Sequence, residues 1–272
     1  MKRFAGCAGS CSQPGHAATD PVASAAPSEA HLRESLTDDL MCLSSPQGAD
    51  LCHGIRMKRV SLVLVMMFVL GLTAPVSVAS AAPVYCKLNP TFNVPQVIWV
   101  DGYGSRQSTR LCARVPSGRY VVQKGPYAGH VGRHGVAALG AKREGDGKTP
   151  YGAYPMRGGF GVYANPGLRV SWLVTRSRDV WVDDSRSSLY NSHQRTPVNG
   201  RWASAEAMRV SPAYNYAQVI GYNERRTRGR GSAIFLHVDQ GRGTAGCVSL
   251  PTSSLVAVMR WQKPGAWIWI TQ

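Results

Sequence analysis

The stretch Phe235–Pro251, FLHVDQGRGTAGCVSLP, sets two short apolar runs on either side of a glycine-bearing connection. The first run, within SAIFLHV, reads as a strand that ends at or beside His237. The second begins at Cys247 and reads as the next strand. Gly241, Gly243 and Gly246 allow positive φ and close backbone approach in the connection between them. If the two strands are adjacent, the imidazole comes beside the sulfur. A thiol of pKa about 8.5 is mostly protonated at neutral pH, and a neighbouring histidine makes the thiolate available. Gly246 leaves the space before the sulfur clear for a carbonyl carbon, and the backbone N–H groups of Gly246 and Cys247 are placed to hold an oxyanion. A Cys–His pair is a weak signal by itself, because an isolated cysteine is more often an inert buried thiol.

Working outward, the same kind of run recurs. QVIWVD, RYVVQKG, YGAYPM, LRVSWLV, DVWVDD, YAQVIGYN, SAIFLHV, GCVSL and AWIWITQ are apolar or alternating and bounded by Gly, Pro, Asn and Asp. Two segments read as short helices. SAEAMRV has Ser204 as a candidate N-cap, and TSSLVAVMRWQ is entered through Pro251 with Thr252 or Ser253 as its cap. Residues 84–272 contain no internal repeat and no low-complexity linker, so they read as one mainly β domain.

Upstream, Met57-Lys58-Arg59 precedes an apolar run from Val60 to Leu72 and then SVASAAP, with small-residue patterns ending at Ala79 and Ala81. That order is the one of a secretory signal. The run is short of the roughly 20 residues a membrane span needs, and an uncleaved anchor is the competing reading. Residues 1–56 are rich in Ala, Ser, Gly and Pro without an apolar period, and cannot bury a core. They read as upstream sequence ahead of a true start at Met57, or else as a disordered tail before a signal anchor; we favour the first. The expected organisation is thus 1–56 upstream segment, 57–81 signal peptide, 82–95 short mature N-terminal segment and 96–272 catalytic domain. Export, and no stable membrane span after cleavage, follow from it.

Cleavage before Ser80 leaves 193 residues carrying 25 basic and 9 acidic side chains, so the net charge of +16 stays on the shorter chain. Such a field favours polyanions. No zinc-finger spacing, helix-turn-helix pattern or RNA-binding aromatic motif is present, so a specific nucleic-acid partner is not expected. An anionic cell wall is the better match. Cys7, Cys11, Cys42 and Cys52 precede the cleavage point, leaving Cys86, Cys112 and Cys247. In an oxidising compartment an odd count leaves one thiol over. Cys86 and Cys112 flank a hairpin-like stretch and are close enough in sequence to pair, which assigns the leftover thiol to Cys247.

HVDQGRGTAGCV, together with KREGDGKTPYGAYPM about a hundred residues earlier, resembles the L,D-transpeptidases of the YkuD type. Gly145, Asp146, Gly147, Lys148, Thr149, Pro150 and Gly152 fit one signature of that family, and His237, Thr244, Gly246 and Cys247 fit the other. VWVDDSRSSLYN and AQVIGYN are similar to the corresponding regions of secreted actinobacterial-type members. The resemblance covers roughly Gln96 to Gln272. It implies a β-sandwich or barrel-like catalytic domain with one or two short helices, Cys247 as nucleophile, His237 as general base and acid, and peptidoglycan stem peptides as substrates. No cofactor and no metal are implied. Ala245 and Ser249 stand where the family commonly has a histidine and an arginine, and the connection from His237 to Thr244 is shorter than usual. Some branches hydrolyse rather than cross-link, so a cysteine carboxypeptidase or endopeptidase, or a non-catalytic wall-binding module, are the alternatives.

Other residues carry weaker expectations. Thr244, Tyr190, Asn191, Tyr222 and Asn223 are candidate substrate-binding residues, and Asp183 and Asp184 could line a peptide groove. GDGKTPYG reads as a structural turn rather than a phosphate loop, with Asp146 and Lys148 satisfying each other. His130 and His134 have helical spacing, but GHVGRHG is too glycine-rich for a helix and lacks a metalloprotease glutamate. Trp261, Trp267 and Trp269 read as packing residues.

Overall fold

A computed structural model describes residues 82–88 and 92–272. The upstream segment, the signal and its cleavage point lie outside them. Twelve strands and one helix are formed among the described residues: β1 (Gln96–Tyr103), β2 (Arg106–Arg114), β3 (Tyr120–His130), β4 (Gly152–Gly161), β5 (Trp172–Val174), β6 (Asp179–Val182), β7 (Ser192–Arg195), β8 (Ala205–Ala207), β9 (Ala217–Ile220), β10 (Phe235–Val238), β11 (Val248–Leu250), α1 (Thr252–Trp261) and β12 (Trp267–Thr271). The fold is mainly β, as the sequence indicates.

Nine strands form one sheet in the order β12-β1-β2-β3-β11-β10-β9-β4-β5, and β12 also pairs with β4, so the sheet closes on itself. Closure leaves the short β5, which pairs with β4 alone, as the remaining edge of this sheet. Alternation in β1 and β12 explains the interior: Ile98, Val100, Ile268 and Ile270 point into one buried cluster with Leu236, Val238, Val248 and Leu250. Leu255, Val258 and Met259, one face of α1, join that cluster. Burying each such side chain stabilises the fold by about 1.5–3 kcal/mol. At one crossing the strands come especially close. A Cβ on Gly129 would lie 2.1 Å from the Ser249 carbonyl oxygen, so β3 approaches β11 only because that residue is glycine.

A second, three-stranded sheet has the order β7-β6-β8. Here the structure corrects one expectation. SAEAMRV is not a helix: Ala205, Glu206 and Ala207 pair with Val182, Trp181 and Val180. The pairing, together with the Tyr214 hydroxyl donating to the buried Glu206 carboxylate, overrides local helix propensity. A single helix is therefore found among the described residues. Its N-cap is Pro251, with no side-chain cap from Thr252 or Ser253. The Cys86–Cys112 disulfide is formed, with a sequence separation of 26. It ties the segment before β1 to β2, and the Cys86 N–H donates to the carbonyl of Tyr120, the first residue of β3, at 2.9 Å. No helix among the described residues is long and apolar enough to cross a membrane.

Candidate active site

β10 and β11 are parallel neighbours, with His237 in register with Ser249 and Leu236 with Val248. Side chains at Phe235 and His237 therefore share one face of the sheet, opposite Leu236 and Val238. Cys247 sits at the level of Phe235, whose N–H donates to its Sγ at 3.3 Å, and Sγ lies 3.3 Å from the Ala233 carbonyl. Cys247, Phe235 and Tyr214 belong to one buried cluster. The Tyr214 ring meets Phe235 and His237 edge-on, at 5.7 and 5.5 Å. His237 and Cys247 thus face the same layer.

His237 is 1% exposed. Its Nδ1 lies 2.8 Å from the Val238 carbonyl, an acceptor only, so Nδ1 carries the proton and Nε2 the lone pair. Nε2 has no hydrogen-bond partner among the described residues. Burial pushes the imidazole pKa down to about 4, against smaller upward contributions from the Val238 carbonyl and Asp239. At neutral pH the side chain is a neutral base with its basic nitrogen unengaged. The sulfur and Nε2 are not hydrogen-bonded to each other, so the dyad brought to one face is open in this state.

Cys247 is fully buried. It is disulfide-bonded in this structure, so the expectation of a leftover thiol is not met. Its carbonyl accepts hydrogen bonds from two hydroxyls, Thr244 Oγ1 at 2.7 Å and Thr149 Oγ1 at 3.1 Å. The Gly246 N–H donates to Thr244 Oγ1 at 3.1 Å, which holds one of the two expected oxyanion donors in place. Gly246 has φ of 155°, and a Cβ there would sit 3.0 Å from the Lys148 carbonyl. Thr244 is therefore a bracing residue of the cysteine turn. Thr149 reaches it from the GDGKTP segment and also accepts the Gly132 N–H at 2.8 Å.

Asp146 organises that segment, with Lys142 rather than Lys148 as its side-chain partner, at 2.6 Å. It accepts the backbone N–H groups of Arg143 and Lys148 as well. Against burial, which raises it, these bonds hold its carboxyl below the ordinary aspartate value. Tyr190, Asn191, Tyr222 and Asn223 come together in one network. Tyr190 donates to Glu144, and Asn191 accepts the N–H groups of Trp181 and Ala233 while donating to the Tyr222 and Asn223 carbonyls. Asn223 donates to the carbonyls of Thr227 and Gly231. The network positions Ala233, whose carbonyl faces the sulfur. Asp184 accepts from Ala203 and Arg186 N–H groups, and Asp183 is half-buried with burial raising its pKa.

One cluster escapes sequence reading. The Ser249 hydroxyl donates to Asp239 Oδ1 at 2.6 Å, and His130 Nδ1 meets the same oxygen at 2.8 Å. Burial would raise the Asp239 pKa, but these two bonds hold it below the ordinary value. Asp239 follows His237 by two residues, which is the one local hint. His134 points elsewhere, its Nδ1 at 2.8 Å from the Asp146 carbonyl.

The L,D-transpeptidase catalytic domain family (YkuD) matches residues 96–270. No curated protein matches the chain. Among solved structures, the helical cell shape determining protein Pgp2 from Campylobacter jejuni, in a mutant crystal form, is similar at 15% identity and a TM-score of 0.31. That likeness covers 66% of this chain and 47% of the other, so the chain spans about half of that protein's length. The family match takes in both motifs and all of the strands that build the His237–Cys247 face, and on it the chain belongs to the L,D-transpeptidase catalytic-domain (YkuD) family of peptidoglycan-modifying enzymes.

Proposed function

We propose that the protein is an exported cell-wall enzyme that forms peptidoglycan cross-links by cysteine-dependent acyl transfer from tetrapeptide stems. The observation that carries this reading is the state of His237: buried, neutral, its tautomer fixed by the Val238 carbonyl, and its Nε2 unengaged on the Cys247 face. Nε2 takes the thiol proton as Sγ attacks the carbonyl after the third stem residue. The tetrahedral intermediate expels the terminal D-alanine, whose amine leaves with the proton from Nε2, and a thioester on Cys247 remains. A side-chain amine of a second stem then attacks the thioester and gives its proton to Nε2, and the thiolate leaves. The turn at Gly246–Cys247 supplies backbone N–H donors to the oxyanion, with the Gly246 N–H shared between Thr244 Oγ1 and the developing charge.

The reaction needs Cys247 as a thiol. Reductant opens its disulfide, and signal cleavage removes Cys7, Cys11, Cys42 and Cys52 from the chain. The sulfur is also fully buried, so substrate entry has to displace part of the covering layer. The +16 charge supports residence on an anionic wall.

Mass spectrometry of the reduced protein with tetrapeptide stems tests the reading. A thioester mass on Cys247 followed by a cross-linked dimer is the expected result. A tripeptide without dimer at high acceptor concentration assigns hydrolysis, the carboxypeptidase alternative. Peptidoglycan binding with neither adduct nor product would leave a non-catalytic wall module. Cys247→Ser and His237→Ala should each nearly abolish adduct formation, and the double variant should be no worse than either, because both side chains serve one step.

A further inference from the structure

Behind the layer that covers Cys247 lies a cleft of about 490 Å³. Phe160, Leu173, Trp181, Met208 and Val219 form its apolar wall. Phe160 and Met208 are members of the buried cluster that contains Cys247, and the other three pack against that cluster. Phe235, whose N–H meets the sulfur, touches Phe160 and Trp181 edge-on at 5.0 and 5.1 Å. One residue layer therefore separates the cleft from the nucleophile.

The mouth is charged. Arg157 and Glu224 form a two-point ion pair, 2.7 and 3.0 Å, and neutralise each other. Asp179, which meets His193 of the cleft lining at 3.0 Å, is also paired with Arg195 at 3.4 Å. Arg226 is different. It is exposed, it lines the cleft, and among the described residues its guanidinium makes only a long contact of 3.4 Å to the Ser188 carbonyl. Its backbone is held by the Asn223 carbonyl at 2.8 Å in a left-handed conformation with φ of 54°. Asn223 fixes the same turn by accepting the Thr227 N–H at 3.0 Å. Among the described residues, the uncompensated charge at the mouth is thus one guanidinium on a braced turn.

We propose that this cleft binds the carboxylate-bearing part of a peptidoglycan stem peptide, with Arg226 as the residue that selects carboxylate over carboxamide. The proposal rests on the peptidoglycan reading above and names where and how the peptide is held. An apolar wall beside the Arg226 cation suits an anionic peptide, and the volume falls within the range of about 300–1,000 Å³ usual for ligand sites. A guanidinium fork matches a carboxylate in two parallel hydrogen bonds, which a carboxamide, with one oxygen replaced by a donor, cannot accept. A stem's free carboxylates, at its C-terminus and along its chain, have this chemistry.

The test uses the full chain and four synthetic tetrapeptide stems: all carboxylates free, the C-terminal one amidated, the internal ones amidated, and both sets amidated. Binding is followed by calorimetry and by tryptophan fluorescence, since Trp181 lines the cleft. Wild type should bind the unmodified stem about 10-fold more tightly than the doubly amidated one, the preference expected of one charge-assisted bidentate contact. Arg226→Gln should reduce that preference to nearly nothing while leaving the affinity for the doubly amidated stem unchanged. Whichever of the two partial amidations removes the preference identifies the carboxylate's position. Glu224→Gln, which releases Arg157, should raise the preference. Equal affinity for all four stems, no binding of any stem, or a preference that survives Arg226→Gln overturns the proposal. Turnover of the same stems by the reduced protein is measured separately. Carboxylate-selective binding without product would defeat the enzyme reading and leave the cleft standing, and turnover indifferent to amidation would do the reverse.

Discussion

His237 couples the stability of the domain to pH, and its neighbourhood sets the size of the effect. Burial holds its pKa at about 4, against 6.5 in the open chain. The unfolded state therefore binds the extra proton between those values and the folded state does not. Stability from the neutral imidazole is complete above 6.5, is lost as pH falls toward 4, and loses nothing more below that, where both states are protonated. The interval corresponds to about 3 kcal/mol. Asp146, Asp179, Asp239 and Glu224, whose values are lowered, weaken the fold only below their unfolded values of 3.8 and 4.5. Asp183, raised by burial, acts in the opposite sense, its penalty growing as pH rises past 3.8. Comparison with His237→Gln cancels these contributions. Urea unfolding from pH 7.5 to 4 should show wild type losing about 3 kcal/mol more than the variant. Parallel curves would refute the buried neutral base and, with it, the general-base role argued for Nε2.

Thr149→Val removes one of the two hydroxyls on the Cys247 carbonyl and the acceptor of the Gly132 N–H, and should destabilise the domain by about 1–3 kcal/mol, with Thr149→Ser restoring most of it; thermal unfolding measures both. Replacing Cys86 and Cys112 by serine should lower stability by about 3 kcal/mol, and non-reducing peptide maps should show that bridge in wild type; its absence from the maps would refute the pairing. N-terminal sequencing of the exported protein should find a start between Ser80 and Pro83, and a mature form retaining residues before Met57 would overturn the reading of the upstream segment.

What could be read from the sequence was what is local. His237 and Cys247 were legible because ten residues and a glycine-rich connection separate them, so strand adjacency was nearly implied. The strands with apolar alternation, β1 and β12 among them, were legible for the same reason. β7 was not: Ser192–Arg195 is SHQR, without an apolar residue, and is a strand only because Val180 and Trp181 across from it supply the pairing. β8 read as a helix because Ala and Glu favour one when no partner is in view. The Asp146 carboxylate pairs with the Lys142 side chain, which has the i, i+4 spacing, and meets Lys148 through its backbone N–H rather than its side chain. The Asp239–His130 contact spans 109 residues, and closure of the sheet through β12 and β4 depends on the whole chain.

The GDGKTP segment, taken from sequence as a turn, is better understood as the other half of the cysteine turn. Asp146 draws in Lys142 Nζ and the N–H groups of Arg143 and Lys148, which sets the path of the chain into Thr149. Thr149 then grips the Cys247 carbonyl from one side and Thr244 from the other. The Lys148 carbonyl stands where a side chain at 246 would point, so glycine there follows from the approach of this segment as much as from its own φ. None of these groups needs to touch a substrate for its loss to matter. In the proposed acyl transfer, a sulfur misplaced by about 1 Å would cost on the order of 100-fold in rate, which is the scale of what such positioning contributes. Two motifs ninety-eight residues apart at Thr149 and Cys247 are, in the folded chain, one piece of geometry that aims Sγ.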